Sequence, residues 1–371
     1  MVEVVERFDF AVVGAGMAGA SLAAELAPHA SVLVLEAEDA PGFHATGRSA
    51  AFWVESYGGP HVQPLTAASG SWLSDRGFLS ARTGLTIARA DQIALLDGFI
   101  RTFEAAGVAM EQIDRAGMER LVPGIAERWV AAVLEPDSKD IDVAALHGHY
   151  LAGLKQAGAS VRCRAGLVAA QRVPEGWRLS LADGSQCRAG VLINAAGAWA
   201  DDIARLAGCA PLGIQPMRRT MLQLDIDPPP PAMMPVVLDV GGTFYFKPES
   251  GKLWLSPHDE TPCDPCDAAP EEIDVALAID RLEQATDWKV RKLERKWAGL
   301  RSFAPDRVPV YGFDPADPAF FWFAGQGGFG IQTAPAAARL AAQQALGHGA
   351  DTMTAGLDRA LYSPARFVHA A

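Results

Sequence analysis

The stretch FAVVGAGMAGASLAAELAPHASVLVLE, residues 10–36, decides the fold of this protein. It begins with an apolar strand pattern, continues with the glycine motif G-A-G-M-A-G at residues 14–19, and then has the small-residue pattern of a helix. A second apolar run, residues 32–35, ends on Glu36. Strand, glycine turn, helix, strand and acid in this order predict a βαβ unit that binds a dinucleotide.

The three glycines and the acid each have a separate role in such a unit. Gly14 permits the tight turn off the strand, Gly16 lets the backbone approach a pyrophosphate, and Gly19 lets the helix pack close to the sheet. The helix N-terminus offers unpaired N–H groups and partial positive charge to the pyrophosphate. Glu36 is suited to accept a hydrogen bond from a ribose hydroxyl and would repel the 2′-phosphate of NADP. The stretch alone leaves NAD and FAD open.

Length, charge and cysteine content limit the remaining possibilities. A chain of 371 residues is too long for one ordinary core and predicts about two domains. The net charge of −12 argues against nucleic acid or an anionic membrane as the main partner. We expect no signal peptide and no transmembrane segment, so the cytoplasm is the expected location, with peripheral association at the inner membrane left open. The motif C-D-P-C at residues 263–266 is interpreted as an exposed loop, and no metal site is predicted.

Two later segments have the texture of the first motif. VLINAAGAWA, residues 191–200, predicts a buried strand followed by a small-residue turn, and FFWFAGQGGFGIQT, residues 320–333, predicts a second glycine-rich strand–helix junction. Residues 211–300 contain a proline cluster and alternating apolar residues, which are typical of a twisted antiparallel sheet. Residues 84–90 and 93–96 are predicted to form short strands.

Taken together, three motifs resemble a known family. G-A-G-M-A-G with Glu36, L-I-N-A-A-G-A-W and G-Q-G-G-F-G-I-Q, in this order, resemble the FAD-dependent oxidoreductases of the D-amino-acid oxidase and glycine oxidase superfamily. The segments F-H-A-T-G-R-S-A-A, Q-P-M-R-R, F-Y-F-K-P and W-A-G-L-R-S-F resemble bacterial D-amino-acid dehydrogenases, in particular D-arginine dehydrogenase. The likeness covers almost the whole chain.

This resemblance implies the fold class and its division. The fold is expected to be α/β, with a discontinuous Rossmann-like FAD-binding domain and an α+β substrate domain built on an antiparallel sheet. The FAD-binding domain would comprise residues 1–75, 140–210 and 304–371, and the substrate-binding domain residues 76–139 and 211–303.

The resemblance also implies an extended FAD. The ADP end would lie on the first glycine motif, the adenine edge near Leu167, and the isoalloxazine at residues 327–333, where a helix N-terminus would stabilise negative charge on the reduced ring. The implied cofactor-binding residues are Gly14, Gly16, Met17, Ala18, Gly19, Glu36, Ala37, His44, Thr46, Gly47, Arg48, Ser49, Ala50, Ala51, Leu167, Ala196, Gly197, Trp199, Gly327, Gly328, Phe329, Gly330, Ile331, Gln332 and Thr333.

Two of these residues invite a closer interpretation. Arg48 could serve the charge of the pyrophosphate. His44 lies in an H-A-T-G context that resembles the histidyl-attachment site of dimethylglycine-type dehydrogenases. Relatives closer to this chain keep the histidine without a covalent bond, so non-covalent FAD is predicted.

The implied reaction is the oxidative deamination of an amino acid. The substrate Cα hydrogen would leave as hydride to flavin N5, giving an imino acid that water hydrolyses to a keto acid and ammonia. Arg301 matches the carboxylate-binding position of the family, and a guanidinium suits it because it can make two parallel bonds to a carboxylate. The other implied catalytic-site residues are Arg218, a second substrate-side arginine, Tyr245, a pocket hydroxyl, Tyr57, a lid tyrosine, and Gln332 with Gly328 beside the flavin.

Departures from the arginine-oxidising relatives indicate a different substrate. Phe52 stands where they carry histidine, Gly84 stands where they carry the acidic residue that reads the side chain, and Arg82 leaves no obvious carboxylate for a cationic side chain. Since an unpaired buried cation is costly, we predict a D-amino acid with a neutral or apolar side chain. An N-substituted or secondary amino acid such as sarcosine or proline, and a non-catalytic flavoprotein, are the alternatives. Oxygen and quinone are both left open as electron acceptor.

Overall fold

A computed structural model describes residues 5–368 and contains the predicted βαβ unit. Strand β1 (Glu6–Val13) leads into helix α1 (Met17–Leu26), which leads into strand β2 (Val32–Leu35). The two strands are parallel and directly paired. The second half of β1 and all of β2 are buried, because parallel strands joined by a crossover helix are covered on both faces.

The first sheet extends this unit on both sides. Its other strands within residues 5–368 are β9 (Ser160–Arg162), β10 (Leu167–Val173), β11 (Gly176–Leu181), β12 (Gln186–Asn194), β19 (Val310–Phe313) and β20 (Phe320–Ala324). Strand β12 is parallel to β1, and β20 is parallel to β12. The three small-residue junctions therefore follow parallel strands and meet at one edge of the sheet, where ligands of α/β folds bind.

A second sheet is mostly antiparallel, as residues 211–300 predict. Its strands within the described residues are β5 (Gly84–Arg89), β6 (Glu111–Ile113), β7 (Trp129–Glu135), β13 (Gln215–Asp227), β14 (Val236–Asp239), β15 (Tyr245–Glu249), β16 (Lys252–Ser256), β17 (Thr261–Pro262), β18 (Lys289–Phe303) and β21 (Gln326–Gly327). The short β21 pairs with the end of β18. It thereby joins residues 325–333, which we call the third glycine junction, to this sheet. A third, small sheet contains β3 (Phe52–Trp53), β4 (Leu79–Ala81) and β8 (Lys139–Ile141). The exact boundaries of the two domains stay a prediction.

The helices correct one expectation. The other α-helices of the described chain are α2 (Gln63–Asp75), α3 (Ile93–Ala105), α4 (Arg115–Leu121), α5 (Val143–Gln156), α6 (Ala200–Leu206), α7 (Glu272–Ala285), α8 (Ala334–Leu346) and α9 (Arg359–Tyr362). The strand predicted at residues 93–96 is wrong. These residues begin α3, whose Leu96, Ile100 and Phe103 recur at helical spacing and are buried. No helix in residues 5–368 is both long and apolar enough to cross a membrane.

Alanine-rich helices bring two N-termini to the same place. Ala23 of α1 and Ala336 of α8 are fully buried in one core cluster together with strand residues of the first sheet. Met17 and Ala334, the first residues of these helices, share a second buried cluster. Because alanine side chains are short, both helices can pack closely, and both begin at the edge where the glycine junctions lie.

Candidate active site

A cavity of about 460 Å³ lies where the three glycine junctions face the second sheet. Its lining includes most of the residues that the sequence predicts: Gly14, Gly16, Met17, Ala18, Glu36, Ala37, His44, Thr46, Arg48, Ser49, Ala50, Ala51, Tyr57, Leu167, Ala196, Gly197, Trp199, Tyr245, Arg301, Gly327, Gly328, Gly330, Ile331 and Gln332. The predicted residues Gly19, Gly47, Arg218, Phe329 and Thr333 are absent from this lining.

The first glycine turn has the geometry that its residues predict. Gly14 has φ +100°, and a Cβ there would lie 2.6 Å from the carbonyl oxygen of Ala195. A Cβ on Gly19 would lie only 1.8 Å from the carbonyl oxygen of Gly14. The turn therefore packs backbone against backbone, and this close approach brings the N-terminus of α1 to the cavity.

Glu36 is fixed beside that turn. One carboxylate oxygen accepts the Ala15 N–H at 2.9 Å, and the other accepts the Glu38 N–H at 3.0 Å. A carboxylate has about four lone-pair sites, so two backbone bonds leave capacity for a ribose hydroxyl. The first N–H of α1, that of Met17, donates to the Thr46 hydroxyl at 2.9 Å. The acid, the glycine turn and the helix N-terminus at the cavity fit the ADP portion of a dinucleotide.

His44 lies farther along the lining. Its Nε2 is 2.9 Å from a carboxylate oxygen of Glu38, and its ring centroid is 4.7 Å from that of Trp199. The ring is thus held by a hydrogen bond on one side and an aromatic contact on the other. This placement fits a cofactor-lining residue.

Arg48 lines the cavity, but its guanidinium does not fit the predicted pyrophosphate role. Its Nη1 donates to the carbonyl oxygens of Ala268 and Ala298, each at 3.0 Å, and its Nη2 pairs with Asp267. These partners already satisfy its charge and several of its donors, so the pyrophosphate assignment is corrected. The backbone carbonyl of Arg48, in contrast, accepts a hydrogen bond from Arg301 at 3.1 Å. We call the part of the cavity beside Arg301 its substrate end.

Arg301 is the cation that the cavity leaves without an acidic partner. It lies near the end of β18 and is 7% exposed. Among residues 5–368, no carboxylate oxygen lies within 4.0 Å of its guanidinium, and its hydrogen bond is to the carbonyl of Arg48. Burial lowers the pKa of Arg301. A buried charge of this kind is costly unless an anion binds it, so the site is suited to a carboxylate ligand.

The predicted role of Arg218 is wrong, because the residue lies on the opposite face of its strand. Its guanidinium pairs with Glu271 and, at 3.1 Å, with Asp274 of α7. Its neighbour Arg219 lies opposite Gly299 in the β13–β18 ladder and so shares a face with Arg301. The alternation of side chains within Q-P-M-R-R is the signal that distinguishes the two arginines.

Arg219 holds the hydroxyl of Tyr57, the residue predicted to be a lid tyrosine. It is 1% exposed, and its Nη1 donates to the Tyr57 hydroxyl at 3.1 Å. Its Nη2 bonds to Glu260 at 2.9 Å, and its Nε donates to the carbonyl of Asp259 at 2.8 Å. Because Glu260 balances its charge, Arg219 is not a second free cation.

Three aromatic rings form the wall beside Arg301. The ring centroids of Phe52 and Tyr57 are 5.0 Å apart, and those of Phe52 and Tyr245 are 5.5 Å apart. Burial raises the pKa of the Tyr245 hydroxyl. His258 contacts the same rings, and burial together with the Arg219 charge lowers its pKa to about 3, so its imidazole is neutral. The wall formed by Phe52, Tyr57 and Tyr245 is therefore aromatic, and none of its three side chains is a carboxylate.

The acidic residues of the lining lie elsewhere. Glu36 and Glu38 follow β2, and Asp202 belongs to α6. None of the three lies on β15 or β18, the strands that carry Tyr245 and Arg301. This distribution agrees with the loss of an acidic side-chain reader that Gly84 indicates. Arg82 is engaged by Asp140 at 2.8 Å and is not a site residue.

Gln332 lines the cavity, but its amide is engaged with protein groups. Its Nε2 donates to the carbonyl oxygens of Val54 and Tyr57 at 3.2 and 3.0 Å and lies 2.9 Å from the Thr66 hydroxyl. It therefore holds residues 54–58, which we call the Tyr57 turn. The Gln332 side chain thus has a supporting role in this turn, and the expectation that Gln332 completes the site beside the flavin stays a prediction. A Cβ on Gly328 would lie 3.2 Å from the Tyr57 hydroxyl, and the place of Gly328 beside the flavin stays a prediction.

Comparison with known proteins agrees with this geometry. The family of FAD-dependent oxidoreductases designated DAO matches residues 9–344. FAD-dependent oxidoreductase domain-containing protein 1 of Bos taurus is 26% identical over 178 residues, which are 43% of this chain and only 36% of that protein. Glycine oxidase from Geobacillus kaustophilus has a similar fold, with a TM-score of 0.83 and 20% identity over 96% of this chain and 98% of that one. L-proline dehydrogenase from P. horikoshii has a TM-score of 0.84 and 19% identity over 99% of both chains. The chain therefore belongs to the DAO family of FAD-dependent oxidoreductases, and its cofactor is FAD.

Proposed function

We propose that this protein oxidises the C–N bond of an amino acid whose side chain is neutral or apolar, with a D-amino acid as the first candidate. The observation that carries the proposal is Arg301, a buried guanidinium without an acidic partner in the described chain, beside three aromatic rings. The D configuration rests on the resemblance of the segments around Ser49, Tyr245 and Arg301 to D-amino-acid dehydrogenases.

The chain's own residues orient the substrate. Arg301 would bind the carboxylate by charge-assisted hydrogen bonds, and the Tyr245 hydroxyl would add a neutral donor. Tyr57, fixed by Arg219, would cover the bound molecule. FAD, when bound, would accept the electron pair of the Cα–H bond as a hydride, while the amine nitrogen loses a proton and the C–N bond becomes C=N. Positioning and the exclusion of water are thus the tasks of the protein, and the released imino acid is hydrolysed to a keto acid and ammonia.

Side-chain selection follows from the charges of the wall. A substrate with a cationic side chain would bring a positive charge beside Phe52, Tyr57 and Tyr245 with no carboxylate in the wall to pair it. The cost of that unpaired charge selects against arginine and lysine, whereas an apolar side chain removes surface from water against the rings.

A second candidate is a secondary or N-substituted amino acid. The fold is similar to that of an L-proline dehydrogenase, although at 19% identity this likeness concerns the fold alone. The observation that favours this candidate is the ring cluster of Phe52, Tyr57 and Tyr245, since aromatic faces attract substituted ammonium groups and pack against methylene groups.

Anaerobic bleaching of the flavin across a panel of amino acids distinguishes these candidates. We expect D-leucine or D-phenylalanine to reduce the flavin at least about tenfold faster than D-arginine, because the unpaired cation costs more than 1 kcal/mol. Fastest reduction by D-arginine would contradict the proposal, and fastest reduction by sarcosine or proline would establish the second candidate. If no panel member bleached the flavin, the non-catalytic alternative would hold. Admitting air or a quinone afterwards identifies the electron acceptor, and the cytoplasmic location stays a prediction.

The mode of FAD attachment has a separate test. We predict non-covalent FAD for two reasons. The Nε2 of His44 is engaged with Glu38, and no cysteine follows Cys266 in the sequence, so residues 325–333 offer no cysteine for a covalent bond. Precipitation of the purified protein with acid should leave the yellow colour in the supernatant. Colour that stayed in the pellet, and that a His44→Ala variant released, would show a histidyl bond instead.

A further inference from the structure

The Tyr57 turn is held from two sides by buried polar side chains. Gln332, at the third glycine junction, contacts it across 278 residues of sequence. On the other side lies Glu135, the last residue of β7 in the second sheet, which is 3% exposed. One carboxylate oxygen of Glu135 accepts the Ser56 N–H at 3.3 Å, and the other accepts the Ser56 hydroxyl. Ser56 is the residue immediately before Tyr57.

The setting of Glu135 is unusual for a carboxylate. No lysine, arginine or histidine nitrogen of residues 5–368 lies within 4.0 Å of it, so Ser56 supplies its polar contacts. Burial raises the pKa of Glu135 to about 7, the hydrogen bonds from Ser56 act in the opposite direction, and the negative charge of Glu55 adds to the rise. Asp137 acts on Glu55 in turn. A buried acid without a counter-ion is costly to keep, which points to a specific role.

Gly84 explains where the acid can lie. It is directly opposite Glu135 in the β5–β7 ladder. A Cβ on Gly84 would lie 2.8 Å from the Ser138 hydroxyl, so the glycine leaves room for the turn that follows β7. Where the sequence has glycine and not an acid at position 84, the residue opposite it in the ladder is the acid Glu135. The Glu135 carboxylate contacts Ser56 and does not line the cavity.

We propose that Glu135 is a positioning residue that acts through Ser56 to hold Tyr57 over the substrate end of the cavity. Together with Gln332 it makes the position of the turn depend on both sheets. The part of this inference that concerns substrate turnover rests on the proposed function, whereas the part that concerns the turn does not.

The direction of the pH effect follows from proton linkage. We call the Tyr57 turn closed when Ser56 is bonded to the buried Glu135 and open when that contact is broken. An acid whose pKa is higher in the closed turn than in water binds its proton more tightly when the turn is closed. The closed turn is therefore most stable when Glu135 is protonated, and it loses stability as the pH rises from about 4.5 towards 7. A glutamine at this position resembles the protonated acid in shape and polarity and has no such titration.

Hydrogen–deuterium exchange on the full-length, FAD-loaded protein tests the turn directly. In E135A, protection of the peptide that covers residues 54–58 should fall about tenfold, because Ser56 loses both acceptors. In E135Q, protection of the same peptide at pH 6 should be within about threefold of that in the unchanged protein. The fall in protection that we expect between pH 5 and 8 should be absent in E135Q. S56A should lower protection less than E135A, because the backbone N–H of residue 56 keeps its bond to Glu135. The double variant should be no worse than E135A alone, since E135A already removes both bonds. The matched control is E111A, an exposed acid on the neighbouring strand β6.

Unchanged protection in E135A and S56A, or effects that add in the double variant, would overturn the proposal. If E135A lost its structure as a whole, peptides throughout the chain would exchange faster. The isosteric E135Q variant then decides whether Glu135 holds the turn. With a substrate identified, E135A should raise KM about tenfold and leave kcat within about threefold, and E135Q should restore KM. If exchange changed but KM did not, the role of Glu135 in substrate binding would be overturned, and its role in holding the turn would stand. If no amino acid reduces the flavin, the exchange measurements still decide the role in the turn.

Discussion

Replacement of Arg301 by methionine should lower kcat/KM for amino-acid oxidation by at least about a thousandfold. Methionine keeps the length and apolar volume of the side chain but removes the charge-assisted hydrogen bonds to the substrate carboxylate, a loss of about 4 kcal/mol. The folded protein should tolerate the change, because Arg301 has no carboxylate partner among residues 5–368 and its burial as a cation is costly. Steady-state kinetics with the best panel substrate and a thermal unfolding curve measure the two effects.

Two controls make the Arg301 result specific. Arg295→Met changes an exposed arginine on the same strand and should leave kcat/KM within about twofold. Arg218→Met should lower stability, since it leaves Asp274 buried without its partner, but should affect kcat/KM much less than the Arg301 variant. If the Arg301 variant kept a tenth or more of the activity, the carboxylate would have to bind elsewhere, and Arg219 would be the residue to test next.

Replacement of Gly19 by alanine should abolish FAD binding and leave little folded protein. The new Cβ would lie 1.8 Å from the Gly14 carbonyl oxygen and 3.3 Å from a methyl group of Val12. The first obstacle is backbone, so no side-chain rotation can relieve it, and α1 would have to move away from the turn that its N-terminus completes. We expect a loss of more than about 3 kcal/mol in the free energy of unfolding. The ratio of flavin to protein absorbance and circular dichroism measure the outcome.

The matched control for Gly19 is Gly148, which lies inside α5 with open space around its Cβ position. Gly148→Ala should bind FAD normally and should gain about 0.5–1 kcal/mol of stability, because alanine is the better helix former. Normal flavin content in Gly19→Ala would show that α1 can shift without loss of the cofactor site, contrary to the packing described here.

The local parts of the fold and site follow from short stretches of sequence. The spacing from Gly14 to Glu36 predicts the βαβ unit because its defining interactions, such as the bond from the Ala15 N–H to Glu36 and the packing of Gly19 on Gly14, lie within one supersecondary unit. The junctions that follow β12 and β20 are predicted for the same reason. The error at residues 93–96 has an equally local cause. A short apolar run fits either a strand or a helix, and the wider spacing of Leu96, Ile100 and Phe103 decides for the helix.

The sequence by itself determined the dinucleotide fold and the FAD family, because these depend on local glycine geometry and on recognisable motifs. The carboxylate-binding role of Arg301 stays a prediction. Only the tertiary structure decided which arginine shares a sheet face with Arg301, since Arg218 and Arg219 differ by one position and a strand turns successive side chains to opposite faces. It also decided that Arg48 is engaged by Asp267 and that Glu135 and Gln332 hold the Tyr57 turn. These partners lie 79 to 278 residues apart in sequence, so only the packing of the two sheets brings them together.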